Sequence, residues 1–169
     1  MGDSQQILND LHGIRRKGYD EELPGKHDAQ FMELAEIYAA SEPEEREAIR
    51  GAVQDETRML LLGFGDRMAI LADRTGTKRY VLLALLAHAI EDFRYDPREN
   101  IFRLTLANHV AAKLGVEAGE IFEQAAGLAS DKGAASLRAF DRRPAALKTL
   151  RTMGIVEYQT EAGPDYRYE

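Results

Sequence analysis

Cysteine is missing from all 169 residues. Its absence excludes a disulfide framework, a thiolate zinc site, a cysteine nucleophile and redox chemistry at sulfur, and it fits a reducing compartment. Long apolar runs are missing too. The longest, Val81 to Ile90, is interrupted by His88 and is about half of the roughly 20 residues that a membrane span requires. The opening MGDSQQILNDLHG has no basic stretch followed by an apolar one, so no secretory leader is expected there, and the chain reads as cytosolic with no membrane partner. Positive charge is in short supply: a formal net charge of -7 argues against sequence-independent attraction to nucleic acid or anionic lipid. The exception is local, because Asp131 to Arg151 holds six basic residues (Lys132, Arg138, Arg142, Arg143, Lys148 and Arg151) against two acidic ones, Asp131 and Asp141. No repeat of fixed period is present, and the length suits one domain over 1–169 that buries most of its surface without a covalent staple.

What is present is helical grammar. Ile7, Leu8 and Leu11 share one side of a short helix over residues 1–12, and the Gly- and charge-rich stretch at 13–27 reads as a loop. Asp28 is placed to cap a helix with the stripe Phe31, Leu34, Ala35 and Tyr38, which ends near Ser41. Ser41 and Glu44 have capping-box spacing, with Pro43 in the first turn, so one long helix is expected from there to about Ala72 through Ile49, Val53, Leu60, Phe64, Met68 and Leu71. Thr77 is placed to cap a segment that is apolar on every side, from Tyr80 to Phe93; a helix with no polar face is a central one. Asp96 and Pro97 open the next helix, which carries Ile101, Phe102, Leu104, Leu106, Val110 and Leu114 and stops at Gly115 in a left-handed position. Helices over Glu117–Ala129, Ala134–Phe140 and Pro144–Met153 follow, and IVEYQ and DYRYE read as a hairpin over 155–168. The expected fold is all-α: a compact bundle of six to eight helices around a central apolar helix, with a small C-terminal β-hairpin.

Candidate chemistry is sparse. His88 with Glu91 and Asp92 at i+3 and i+4, and His109 on the following helix, would be the metal ligands if those two helices packed antiparallel. Against this, His88 shares a face with Val81, Ala84 and Leu85, and no second Glu-x-x-His segment of the di-iron kind exists. Gly63-Phe64-Gly65 follows no strand and has neither a third glycine at dinucleotide spacing nor a Gly-Lys-Ser/Thr end, so it serves close helix packing rather than phosphate. Asp66, Arg67, Asp73, Arg74, Asp92, Arg94, Asp96 and Arg98 form a series of acid and arginine neighbours suited to structural ion pairs between helix ends. Ser4, Ser41, Ser130 and Ser136 read as capping or short-segment residues, with no Gly-x-Ser-x-Gly elbow to make a nucleophile.

The tail PAALKTLRTMGIVEYQTEAGPDYRYE places Leu147 and Leu150 three apart on a short helix, a glycine stop, Ile155-Val156 and then a two-stranded ribbon. Over about 25 residues it resembles the recognition helix and wing of winged helix-turn-helix DNA-binding proteins. That resemblance implies Arg142, Arg143, Lys148 and Arg151 as the groups near phosphates or base edges. Pro144 leaves a helix of only about ten residues, and Glu157, Glu161, Asp165 and Glu169 face a single Arg167, so the ribbon would repel a backbone it should touch. The alternative is that Val156, Tyr158, Tyr166 and Tyr168 fold the hairpin onto the bundle.

With no catalytic constellation surviving these comparisons, the sequence points to a non-enzymatic helical module that needs no cofactor and binds another protein or a second copy of itself. Tyr19, Tyr38, Tyr158 and Tyr166 are the aromatic residues expected near its exposed edges. DNA binding through 131–168 and a His/carboxylate metal enzyme are the alternatives.

Overall fold

The computed structural model describes residues 2–12, 27–94, 97–140, 155–160 and 163–168. The expected loop at 13–27 (save His27) and the helix expected at Pro144–Met153 lie outside the described residues. Among the described residues up to 140 every regular element is helical: α1 (Gly2–His12), α2 (Asp28–Ala40), α3 (Pro43–Ala52), α4 (Asp55–Thr75), α5 (Arg79–Glu91), α6 (Pro97–Lys113), α7 (Ala118–Ala126) and α8 (Asp131–Ala139). No helix among the described residues is long and apolar enough to cross a membrane.

α5 organises the packing. Every residue from Val81 to Glu91 is buried, and α2, α3, α4, α6 and α7 all lie against it. The closest approach is to α4, at Gly65, where a Cβ would sit 3.1 Å from Ala87 Cβ and 3.2 Å from the Ala84 carbonyl oxygen. Gly65 therefore does what a small residue in a helix does, while a Cβ at Gly63 would meet only Arg67 of its own helix, and Phe64 between them turns inward to stack on Phe31 of α2 at 5.5 Å between ring centroids. α1 buries Ile7, Leu8 and Leu11, as its spacing predicts. Gly115 ends α6 with φ +69°, the left-handed turn expected of it.

The helix expected from Ser41 to Ala72 is instead two helices, broken at Val53 and Gln54, both in extended backbone conformations. Gly51 is the penultimate residue of α3, no proline stands at the break, and the apolar period runs straight through it. Arginines reach two of the carbonyls it frees: Arg58 Nη2 donates to the Val53 oxygen at 3.4 Å, and Arg94 Nη2 to that of Arg50 at 3.3 Å, which also accepts from Val53 N. The capping assignments shift with it. Ser41 closes α2, its hydroxyl donating to the Ile37 carbonyl at 2.7 Å, and Glu42 precedes α3 with no side-chain cap. Lys78, not Thr77, is the residue before α5. Ser130 does cap α8, accepting from Gly133 N at 3.1 Å.

Gly65→Val drives a branched side chain into two fixed helix atoms, so the free energy of unfolding should fall by about 1–3 kcal/mol. Gly51→Ala on α3 meets nothing within 4 Å and should leave stability unchanged or raise it by up to about 1 kcal/mol. Urea unfolding of both variants beside the parent chain checks the contrast; similar behaviour at the two positions would contradict the close α4–α5 approach.

Candidate functional site

Two polar arrangements stand out, one inside the bundle and one on its surface. The interior one begins at Asp28. It is the first residue of α2, preceded by His27 as the boundary residue, and its carboxylate is turned inward rather than capping the helix. Arg67 of α4 holds it with a two-pronged grip, Nε at 2.9 Å from Oδ2 and Nη2 at 2.6 Å from Oδ1, with side-chain exposures of 9% and 0% for Arg67 and Asp28. Next to Arg67, Asp66 faces α6, 3.3 Å from Arg103 Nε, and two turns further along α4 Asp73 meets Lys113 Nζ at 2.8 Å. Because these two contacts occur in the same order along both helices, α4 and α6 run the same way, with α5 returning between them.

His88 and Glu91 enter this interior from the end of α5. Burial, and then the nearby Arg103 guanidinium, push the His88 imidazole down to about 3, so it is neutral near pH 7. Its 4.0 Å approach from Nδ1 to Glu91 Oε1 is accordingly not an ion pair at that pH. The imidazole stacks on Phe93 at 5.5 Å between centroids, and the other Glu91 oxygen, Oε2, accepts from Arg94 N at 3.0 Å. Asp92 and Phe93 both take positive φ, 63° and 52°, an unusual conformation for residues other than glycine. It is held by the Phe93 N–H bonding back to the His88 carbonyl at 3.2 Å and by Ser130, whose hydroxyl donates to Asp92. Phe93 also fits against α8, where a Cβ on Gly133 would stand 3.0 Å from the ring.

Two of the four candidate ligands, His88 and Glu91, lie beside each other. His88 and Glu91 are interior, Asp92 turns to Ser130, and His109 is half-buried on α6. Among the described residues, no group of three or more histidine, aspartate or glutamate side chains could hold a metal ion. In the acid and arginine series, Asp92 and Arg94 pair with each other at 3.7 Å, while Asp66, Arg67 and Asp73 pair with partners on other helices. Arg74 is half-buried on α4, and the side chains of Asp96 and Arg98 lie outside the described residues. So do Arg142, Arg143, Lys148, Arg151, Tyr19 and the side chains of Tyr158 and Tyr166. Tyr38 is a correction. Rather than marking an exposed edge it is fully buried, its hydroxyl donating to the Leu128 carbonyl of the α7–α8 turn and accepting from Arg50 Nη1 at 2.8 Å.

The surface arrangement was not anticipated. An open groove of about 520 Å³ runs between α2 and α7, lined by Glu36, Ala39, Ala40, Arg79, Glu123, Gln124, Gly127 and Leu128. Half of its lining is small or apolar: Ala39, Ala40, Gly127 and Leu128. At its rim, Glu36 accepts from Arg79 Nη2 at 2.6 Å, and Glu123 from Arg138 Nη2 at 2.7 Å, both pairs about half exposed. Its sequence signal was the pairing of small and acidic residues on the outer faces of the two helices.

No family model, curated protein or solved structure matches this chain.

Removing one member of the buried pair leaves the other charge without compensation, so Asp28→Ala and Arg67→Ala should each cost about 3–5 kcal/mol in chemical denaturation. The double variant should cost clearly less than the sum of the two; additivity would mean that the two side chains do not act as a unit.

His88 gives a pH dependence with a definite sign. The unfolded imidazole binds its proton near pH 6.5 and the folded one near 3. Its contribution is therefore favourable above about pH 6.5 and is lost, at up to about 1.4 kcal/mol per pH unit, as the pH falls between those values. His88→Gln should flatten that part of the stability profile between about pH 6.5 and pH 5, and an unchanged slope would show that His88 is not the group responsible.

Proposed function

We propose that this chain is a single, cytosolic, non-enzymatic helical module that binds another protein through the groove between α2 and α7. One contrast supports it above all. Inside the bundle, the polar side chains Asp28, Arg67, Asp66, Arg103 and Glu91 are engaged in joining one helix to another or in closing a helix end. In the groove, Glu36, Arg79, Glu123 and Gln124 stand in solvent around Ala39, Ala40, Gly127 and Leu128. Such a surface offers an apolar centre with a polar rim, the anatomy of a protein contact, and grooves between helices are a recurrent way to hold a partner segment.

The tail belongs to the same proposal as a C-terminal hairpin. Its support is the antiparallel register of Ile155–Thr160 with Gly163–Tyr168, from Ile155 opposite Tyr168 to Thr160 opposite Gly163. A ribbon following a basic segment also favours a second reading, binding of duplex DNA through Arg142, Arg143, Lys148 and Arg151.

Affinity capture from the source cell with the parent chain and with Ala40→Arg/Gln124→Arg tests the first reading. The parent should retain a stoichiometric protein partner, and the variant, with unchanged helicity, should retain at least about tenfold less, a loss near 1.4 kcal/mol. Equal recovery by both would remove the groove as the binding face, and a parent chain that emerges alone would remove the module. For the second reading, duplex affinity should drop steeply with salt and be lost in Arg142→Ala/Arg143→Ala; no duplex binding at low salt ends it.

A further inference from the structure

The two helices that wall the groove carry charge of one sign only. α2, DAQFMELAEIYAA, and α7, AGEIFEQAA, contain five carboxylates and no lysine or arginine, and Glu117 caps α7 with its own carboxylate. Asp28 is turned inward on Arg67. That leaves Glu33, Glu36, Glu117, Glu120 and Glu123 exposed, of which Glu36 and Glu123 line the groove. The fold itself shows what these walls take: Arg79, from the start of α5, places Nε and Nη2 on Glu36 at 3.2 and 2.6 Å. Arg138, from α8, does the same to Glu123 at 3.1 and 2.7 Å. Each guanidinium comes from a different element and each pair is solvent-exposed, so replacing it by another arginine changes little energetically while preserving the geometry. Between the carboxylates, Ala39, Ala40 and Gly127 are small enough to let a second backbone come close, and Leu128 adds apolar surface.

We infer that the occupant of the groove is a basic amphipathic helix of a partner protein. Its aliphatic strip would lie on Ala39, Ala40, Gly127 and Leu128, and its arginines or lysines on Glu36 and Glu123. Glu33 and Glu120, three residues earlier on each wall, extend the acidic track by one turn. The inference rests on the groove being the binding face and adds the chemistry of the partner. The overall charge of -7 favours approach of such a segment from a distance.

The test uses the full chain and a fluorescein-labelled peptide of about 16 residues built from Ala, Leu and Arg, with Leu at i, i+3, i+4 and i+7 and Arg on both flanks. The controls are a peptide of the same composition in scrambled order and one with Glu in place of Arg. The amphipathic basic peptide should bind with a Kd of roughly micromolar order, weakening markedly from about 50 to about 300 mM salt. Glu36→Lys/Glu123→Lys should weaken it at least about tenfold. Glu44→Lys/Glu47→Lys on exposed α3 positions makes the same change of charge and should alter binding by less than about threefold. Circular dichroism and the unfolding midpoint establish that both variants fold.

Equal losses in the two double variants, or equal binding of the scrambled peptide, would reduce the effect to general attraction and overturn the inference. Binding of the acidic peptide would also overturn it. A dimer of the chain alone that Glu36→Lys/Glu123→Lys abolishes would assign the groove to a second copy instead. If a captured partner depends on Ala40 and Gln124 while the basic peptide does not bind, the groove stands as a binding face and the basic helix falls. If neither depends on the groove, both fall together.

Discussion

A helix that is buried along its whole length has to be enclosed by others, and α5 imposes that requirement on everything around it. Val81, Leu82, Leu83, Leu85, Leu86 and Ile90 are all within the core, and full burial of each such side chain is favourable by about 1.5–3 kcal/mol. The same helix carries His88 and Glu91 inside, although burial disfavours the charged imidazole. His88 responds by staying neutral, and Glu91 by accepting from the backbone just beyond the helix end. Gly65 belongs to the same constraint, because only a residue without Cβ lets α4 lie as close to α5 as Ala84 and Ala87 require.

Charge is used in two ways, separated by burial. Inside, the Asp28–Arg67 grip and the Asp66–Arg103 contact link α2 to α4 and α4 to α6. Desolvation makes such pairs costly to form and more costly to leave half-made, so they act mainly to specify which helix faces which. Outside, Glu36–Arg79 and Glu123–Arg138 contribute little to stability because water screens them. Groups with small mutual attachment are the ones available to a partner, which is why the surface groove rather than the interior network carries the proposed function.

The end of α5 shows strain held in place by its surroundings. Phe93 adopts a left-handed backbone conformation that its residue type disfavours, next to Asp92, one of the few types that tolerate it. Phe93 is fixed between His88 and the glycine of α8, and Asp92 by the hydroxyl that also caps α8. The turn from α5 and the docking of α8 are thus one arrangement, which ties the α7–α8 corner, and through the Tyr38–Leu128 hydrogen bond the floor of the groove, to the core.

Read without its structure, the chain discloses its helical class, the burial of Ile7, Leu8, Leu11, Phe31 and Leu34, the central place of Val81–Ile90, the packing role of Gly65 and the left-handed stop at Gly115. All of these follow from spacing or from backbone sterics that act within a few residues. The break at Val53–Gln54, the inward turn of Asp28 and the partners of Asp66, Arg67 and Asp73 were not legible. Each involves a side chain from another element or turn: Arg58 of α4 and Arg94 beyond α5 to freed carbonyls, Arg67 to Asp28, Arg103 and Lys113 to α4. Sequence neighbours such as Asp66 and Arg67 point away from each other on a helix, so adjacency in the chain said little about pairing. The partners of the Tyr38 hydroxyl and the groove between α2 and α7 were decided in the same way, because periodicity marks which face of a helix turns inward but only packing determines what that face meets and which outer faces come to lie side by side.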